Sequence, residues 1–109
     1  MPFDLPVLPE PRLDLRAPDV GEAVAAATVL ADPSRAAILR LLRDGPHCVC
    51  EMAAALVVRE NNLSNHLARL REAGLVRASR HEANGRFQYY ERDEAAIRAA
   101  CDALRDILG

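Results

Sequence analysis

Lysine is absent, and all 14 basic side chains are arginine. That absence reflects genome composition more than function. Tryptophan is also missing, and aromatic residues make up only 4% of the chain. Half of the 109 residues are nonetheless apolar, so the core must be Leu, Ile, Val and Ala, a composition that favours helices. No apolar run approaches the ~18 residues that a membrane span needs. The start of the chain has no basic region followed by an apolar stretch, so no signal peptide is expected. The expected location is therefore the cytoplasm, where cysteines are kept as thiols. There are 3 cysteines, which cannot all pair within one chain. The sequence shows no nucleophile–base pair, no phosphate-binding glycine loop and no paired-carboxylate motif, so it is not expected to be an enzyme. No constitutive cofactor is expected.

What is present is unevenly distributed. The net charge of −2 argues against a nucleic-acid partner only when it is averaged over the chain. From Arg59 to Arg92 there are seven Arg against four Glu, a local balance of +3. A phosphate backbone responds to such local charge. The length implies one folded domain with a limited core, which makes dimerisation plausible.

Residues 1–18 hold five of the seven prolines and read as an extended N-terminal arm, mobile or packed on a partner surface. Residues 19–109 form the expected domain. Asp19 and Glu22 suggest a capping box for a first helix to about Ala31, with Val20, Val24, Ala27 and Ala31 on its packed face. Asp32-Pro33 starts a second helix, which buries Ile38, Leu39, Leu41 and Leu42 and stops at Gly45-Pro46. A third helix spans roughly Cys50 to Val57. A fourth spans Asn61 to Ala73, with Gly74 as its stop. Leu75 to Arg80 and Phe87 to Tyr90 read as strands joined at Asn84-Gly85, a strong hairpin signal. From Asp93 a last helix places Ile97, Ala100, Cys101, Leu104, Ile107 and Leu108 on one face. This order, α-α-α-α-β-β-α, is that of a mostly helical winged helix-turn-helix domain.

In the fourth helix Leu63, Leu67 and Leu70 make an inward stripe. The opposite face opens with Asn61, Asn62, Ser64 and Asn65. Short amides and hydroxyls can donate to and accept from base edges, and the N-terminal part of the second helix in such motifs reads bases. Arg69 and Arg71 farther along suit phosphates, as do Arg77, Arg80 and above all Arg86 in the hairpin. His66, at the edge of the stripe, is expected to pack rather than to read. Tyr89 and Tyr90 are expected to pack the sheet on the helices.

These stretches together resemble a known family, the winged-helix metalloregulators of the arsenical-resistance and metallothionein-repressor group (ArsR/SmtB). The resemblance lies in Leu30-Ala31-Asp32-Pro33-Ser34-Arg35 with Ile38-Leu39, and in Cys48-Val49-Cys50-Glu51-Met52-Ala53. It continues through Leu63-Ser64-Asn65-His66-Leu67, Leu70 to Val76, and Gly85-Arg86 with Tyr89-Tyr90. It covers roughly residues 19 to 108. It implies a homodimer formed by the first and last helices, repression through operator double-stranded DNA, and release when an inducer binds. Cys48 and Cys50 look like the family's arsenite-sensing site. Thiolates select soft ions, and As(III), with Sb(III) beside it, takes three sulfurs. In some relatives a third thiol lies three residues after the second, but here that position is Ala53. Cys101 is the remaining candidate ligand, or else a buried small hydrophobe. His47 is a bystander or an auxiliary ligand.

Two residues apart on a regular helix, Cys48 and Cys50 would point ~200° from each other. Gripping one ion is therefore expected to open the first turn of the third helix. Competing readings are a Cd/Pb-responsive repressor of the same fold and a thiol redox or persulfide sensor. Relatives that sense cadmium or lead also use cysteines in the arm, and residues 1–47 contain none. The last helix contains no His, which disfavours the family's zinc site.

Overall fold

The computed structural model describes residues 18–79 and 88–109. The proline-rich arm, Arg80, the Asn84-Gly85 turn and Arg86 lie outside the described residues. Helix α1 (Pro18–Leu30) is followed by α2 (Pro33–Leu41), which runs into a single 3-10 turn at Leu42–Asp44. A two-residue strand β1 (His47–Cys48) leads directly into α3 (Val49–Leu56). Then come α4 (Glu60–Glu72), β2 (Val76–Ser79), β3 (Tyr89–Arg92) and α5 (Glu94–Leu108). The expected winged helix-turn-helix order is present, with β1 as an addition.

The helix starts follow their chemistry. The Asp32 carboxylate accepts from the Ser34 N–H at 2.8 Å, with Pro33 in the first turn. That N–H is the main reason the carboxyl is held below its ordinary value, with His66 and Arg35 adding to the effect. Stability from this cap is therefore complete above the ordinary carboxylate value and is lost only as acid protonates the folded-state group. Asp93 caps α5 in the same way through the Ala96 N–H at 3.0 Å. Gly74, at φ 78°, takes the left-handed position after α4, where its lack of a Cβ removes the steric cost. Helix α1 begins at Pro18, one residue before the expected cap Asp19.

The sheet order is β1-β3-β2, all antiparallel. Central β3 pairs Tyr89 with Cys48 on one side and with Ser79 on the other. Strand β1 escapes a reading of the sequence because two residues carry no alternation. It exists because β3 offers an unpaired edge. Arg92 ties that sheet to α2, donating from Nη1 to the Leu39 carbonyl at 3.1 Å.

The core joins Ile38, Leu39 and Leu42 of α2 and its turn to Met52 and Ala53 of α3. Leu63, Leu67 and Leu70 of α4, then Leu75, Val76 and Tyr90, complete it. The leucine stripe of α4 is therefore as expected, and Tyr90 packs as expected. Helix α1 is rotated from the expected face. Ala23 and Ala26 are buried, whereas Val24 is 58% exposed. Small residues let α1 approach α5 closely, and α5 answers with Ala96, Ala100 and Ala103, so the larger valine is turned outward. Helix α5 is also corrected: Ala103 is its buried residue, while Cys101, Ile107 and Leu108 are exposed.

Leu67 has no exposed surface and sits between α2, α3 and the sheet. Leu67→Ala should cost about 2–5 kcal/mol of unfolding free energy. Urea denaturation followed by circular dichroism measures the loss, and a change below 1 kcal/mol would contradict this account of the core.

Candidate functional site

Helix α4 is held from one side only. With Leu63, Leu67 and Leu70 buried, the remaining surface faces outward, and Asn61, Asn62, Ser64, Asn65, Arg69 and Arg71 are all exposed. The Asn61 Oδ1 accepts from the Asn62 backbone N–H at 2.9 Å, which engages the Asn61 acceptor, while the Asn62 side chain is exposed. Arg69 and Arg71 lie in the last turn, where positive charge suits the helix C-terminus. His66 is half-buried and lines a small pocket with Pro33, Ser34, Leu56 and Val58, in agreement with a packing role. Arg77 is less available than expected. Its Nε donates to Glu91 Oε1 at 2.8 Å, and Asp93 lies 3.7 Å from Nη1, so its charge is already answered within the chain.

The thiol pair lies at the start of α3, but not as a regular helix would place it. Cys48 is the N-cap of α3, with an extended backbone at φ −79° and ψ 160°, and is simultaneously the last residue of β1. Its Sγ accepts from the Glu51 N–H at 3.3 Å, and Glu51 Oε1 accepts from the Cys48 N–H at 3.1 Å. The pair of bonds forms a capping box with sulfur in place of a hydroxyl. Because Cys48 is outside the helix, the ~200° separation of a regular helix does not apply. The two Cα atoms are 5.4 Å apart and the structure joins Cys48 to Cys50 as a disulfide. The premise that both cysteines lie on one regular helix does not hold: extended backbone at the N-cap brings them together with α3 intact.

Around the pair, His47 Nδ1 lies 3.7 Å from Glu51 Oε2. Cys48 is buried and Cys50 exposed, so the site opens to solvent through Cys50. Cys101 is a free, exposed thiol on α5, not the buried small hydrophobe offered as one reading. Among the described residues no three His, Cys, Asp or Glu side chains gather as a metal-holding group, so the chain by itself does not bring Cys101 to the pair.

Two features escaped the sequence reading. Cysteine is not a usual N-cap residue, so the cap was hidden. The only signal was Glu51 three positions on. At the other end of α3, Val57 adopts the left-handed conformation at φ 54° and is 89% exposed. A β-branched residue there has no sequence signature.

Helix α4, exposed beside a capped partner helix and followed by a small antiparallel sheet, gives the architecture of a winged helix-turn-helix domain. Residues 32–78 match the family model described as "Bacterial regulatory protein, arsR family". The chain is 38% identical over 95 residues to the biofilm growth-associated repressor of Agrobacterium fabrum, covering 87% of this chain and 78% of that protein. The arsenic resistance transcriptional regulator of Pseudomonas putida is 44% identical over 62 residues, 56% of this chain. The match spans only 46% of that protein's own length. A crystal structure of a possible transcriptional regulator for arsenical resistance superimposes with a TM-score of 0.68 at 30% identity, over 76% of this chain and 83% of that one. The chain belongs to the arsR family. Its fold and its relatives are those of transcriptional regulators, not of enzymes. Among the described residues, no helix is long and apolar enough to cross a membrane.

If the Glu51 carboxyl acts as half of a capping box, Glu51→Ala should cost about 1 kcal/mol, while Glu51→Gln should keep most of the stability because Gln can also accept the N–H. Thermal melts of the two variants decide this, and equal losses in both would show that charge rather than the cap is at work.

Proposed function

We propose that this chain is a homodimeric repressor that binds operator DNA through α4 and is released when As(III), or Sb(III), binds the Cys48 and Cys50 thiolates. The observation that carries the reading is the placement of the two sulfurs. They meet at the N-cap of α3, the helix whose buried side chains pack against the reading helix. The class agrees with two relatives named for arsenic or arsenical resistance. Asn61, Asn62, Ser64 and Asn65 read base edges, and Arg69, Arg71 and Arg86 hold phosphates or the minor groove. Cys101 is the candidate third sulfur; because the chain by itself does not bring it to the pair, the second copy would supply it.

The coupling follows from what Cys48 already does. Its sulfur accepts an N–H that stabilises α3, and an ion that draws on the sulfur's charge and turns its lone pairs weakens the cap, up to its loss. Losing such a cap costs about 1 kcal/mol. In a dimer with two sites that is roughly 2 kcal/mol, or about thirtyfold in DNA affinity if it is expressed fully in the bound state, within the usual range of coupling between sites. Helix α3 need not unwind; it need only shift against Leu63 and Leu67.

The test uses a fluorescein-labelled duplex selected from random-sequence DNA by the wild-type protein, with release followed by anisotropy. Reduced wild type should release it on arsenite or antimonite addition, with weaker responses to cadmium and zinc. The Cys48→Ser plus Cys50→Ser protein should bind the duplex and ignore arsenite, and release in that variant would sink the sensing reading. Cys101→Ser with an unchanged arsenite response would remove Cys101 from the site. A cadmium or lead response stronger than that to arsenite would favour the cadmium/lead reading.

One observation favours a second reading, a thiol redox or persulfide sensor. Cys48 and Cys50 are joined in the structure without distortion of α3. In that case peroxide or polysulfide, without any metalloid, should change duplex affinity, and dithiothreitol should restore it.

For DNA reading itself, Arg71→Ala should weaken selected and mixed-sequence duplexes alike and lower the salt slope by about one. Asn65→Ala should cost about 1–3 kcal/mol on the selected duplex alone. Anisotropy titrations across salt concentrations check both.

A further inference from the structure

We infer that the turn between α3 and α4 is itself an operator-contacting element, with Val57 as an apolar contact and Arg59 as a phosphate contact. The inference rests on DNA binding through α4 and not on the identity of the inducer. Two residues of this turn, Val57 and Arg59, oppose local stability.

Val57 closes α3 in the left-handed conformation at φ 54°, its N–H donating to the Ala53 carbonyl. The geometry suits glycine or asparagine. A β-branched side chain there crowds its own backbone. Burial does not compensate, because Val57 is 89% exposed. Its neighbour Val58 is the residue that packs against the core.

Arg59 then occupies the N-cap of α4 at φ −73° and ψ 144°, and its side chain makes no capping hydrogen bond. Ser, Thr, Asp or Asn would satisfy an N–H there. Arginine also brings a cation to the positive end of the helix. The side chain is exposed, and no ion pair or hydrogen bond with another described residue occupies its guanidinium. Contrast Arg35, Arg77 and Arg92, whose guanidiniums are all engaged within the chain.

Unfavourable choices that persist in one turn are expected where a surface is used. This turn leads straight into Asn61, Asn62, Ser64 and Asn65. A helix entering the major groove by its N-terminal end brings the residues just before it to the groove wall. There a cation meets a phosphate, and a small apolar group meets a sugar or a thymine methyl. Glu60, between Arg59 and Asn61, offsets part of the cation's cost to the helix start and can accept from a cytosine amino group.

The test compares Val57→Gly, Val57→Asn and Arg59→Ser in the full chain, by thermal melting and by anisotropy on the selected and mixed-sequence duplexes. Each variant should melt roughly 4–8 °C higher, because each relieves a local conflict. Val57→Gly and Val57→Asn should both bind the selected duplex about three- to tenfold more weakly; agreement between them separates a lost contact from a loosened turn, since asparagine holds the left-handed backbone without glycine's freedom. Arg59→Ser should weaken both duplexes and lower the salt slope by about one. Variants that gain stability yet bind both duplexes with wild-type affinity and slope would overturn the inference. Failure of the wild type to select any duplex would instead overturn DNA binding through α4, and this inference with it.

Discussion

The packing of α3 on α4 is the interaction on which the rest depends. Met52 and Leu67 have no exposed surface, Leu63 nearly none, and Ala53 lies against them. Burying one such side chain is worth about 1.5–3 kcal/mol, so the two helices are held as a unit while their other faces stay free. The free face of α4 carries amides and arginines; the free end of α3 carries sulfur. Close-packed interiors respond to a small displacement by shifting as a block rather than by local compression. A change at the start of α3 therefore has a direct route outward, through these side chains to α4.

Cys48 concentrates that dependence in one residue. It pairs with Tyr89 in the sheet, caps α3 through its sulfur, and contributes one of two adjacent thiols. A serine would cap better and a valine would make a better strand. Only sulfur performs both and can also bind a soft ion or take part in redox chemistry. Whatever bonds to the sulfur changes the charge and direction of the lone pairs that accept the Glu51 N–H, so the chemistry at Cys48 and the start of α3 share one atom. The two-residue spacing, which in a regular helix would separate the sulfurs, is what this junction of strand and helix turns into an adjacent pair.

Much of this was legible in the sequence because it rests on short-range chemistry. Asp32-Pro33 and Asp93 announce helix starts, Gly74 a stop, and the Leu63, Leu67 and Leu70 stripe a buried face. The pieces that were not legible depend on tertiary context. Strand β1 exists only because β3 has an edge to offer it. Cys48 is a cap only because β1 fixes its backbone as extended. The rotation of α1 follows from close alanine packing against α5, which a search for the largest apolar residues misreads. The apolar period along α5 places Cys101 on the packed face, yet the buried position is Ala103. The spacing of apolar residues identified the helix, while its neighbour α1 decided which side faces in.

That same rotation bears on the homodimer proposed above. With small residues turned inward, α1 and α5 send their bulk outward: Val24, Leu30, Ile107 and Leu108 are exposed, alongside Cys101. An isolated helix of 13 residues is marginal in water, and the alanines of α1 bury little area against α5. Within the chain it is held by Val29 on the core and by Arg35 donating to the Thr28 and Val29 carbonyls, and the outward apolar residues of both terminal helices are the chemistry a second copy would cover. A dimer built this way would fix the distance between two copies of α4, because α5 follows directly from β3 and β3 is tied to α2 through Arg92 and Leu39. The spacing of the two reading helices would then be set through the same sheet that holds Cys48. A disturbance at the sulfur would reach the operator by two routes, through the α3–α4 core within each chain and through β3 to the helix that joins the copies.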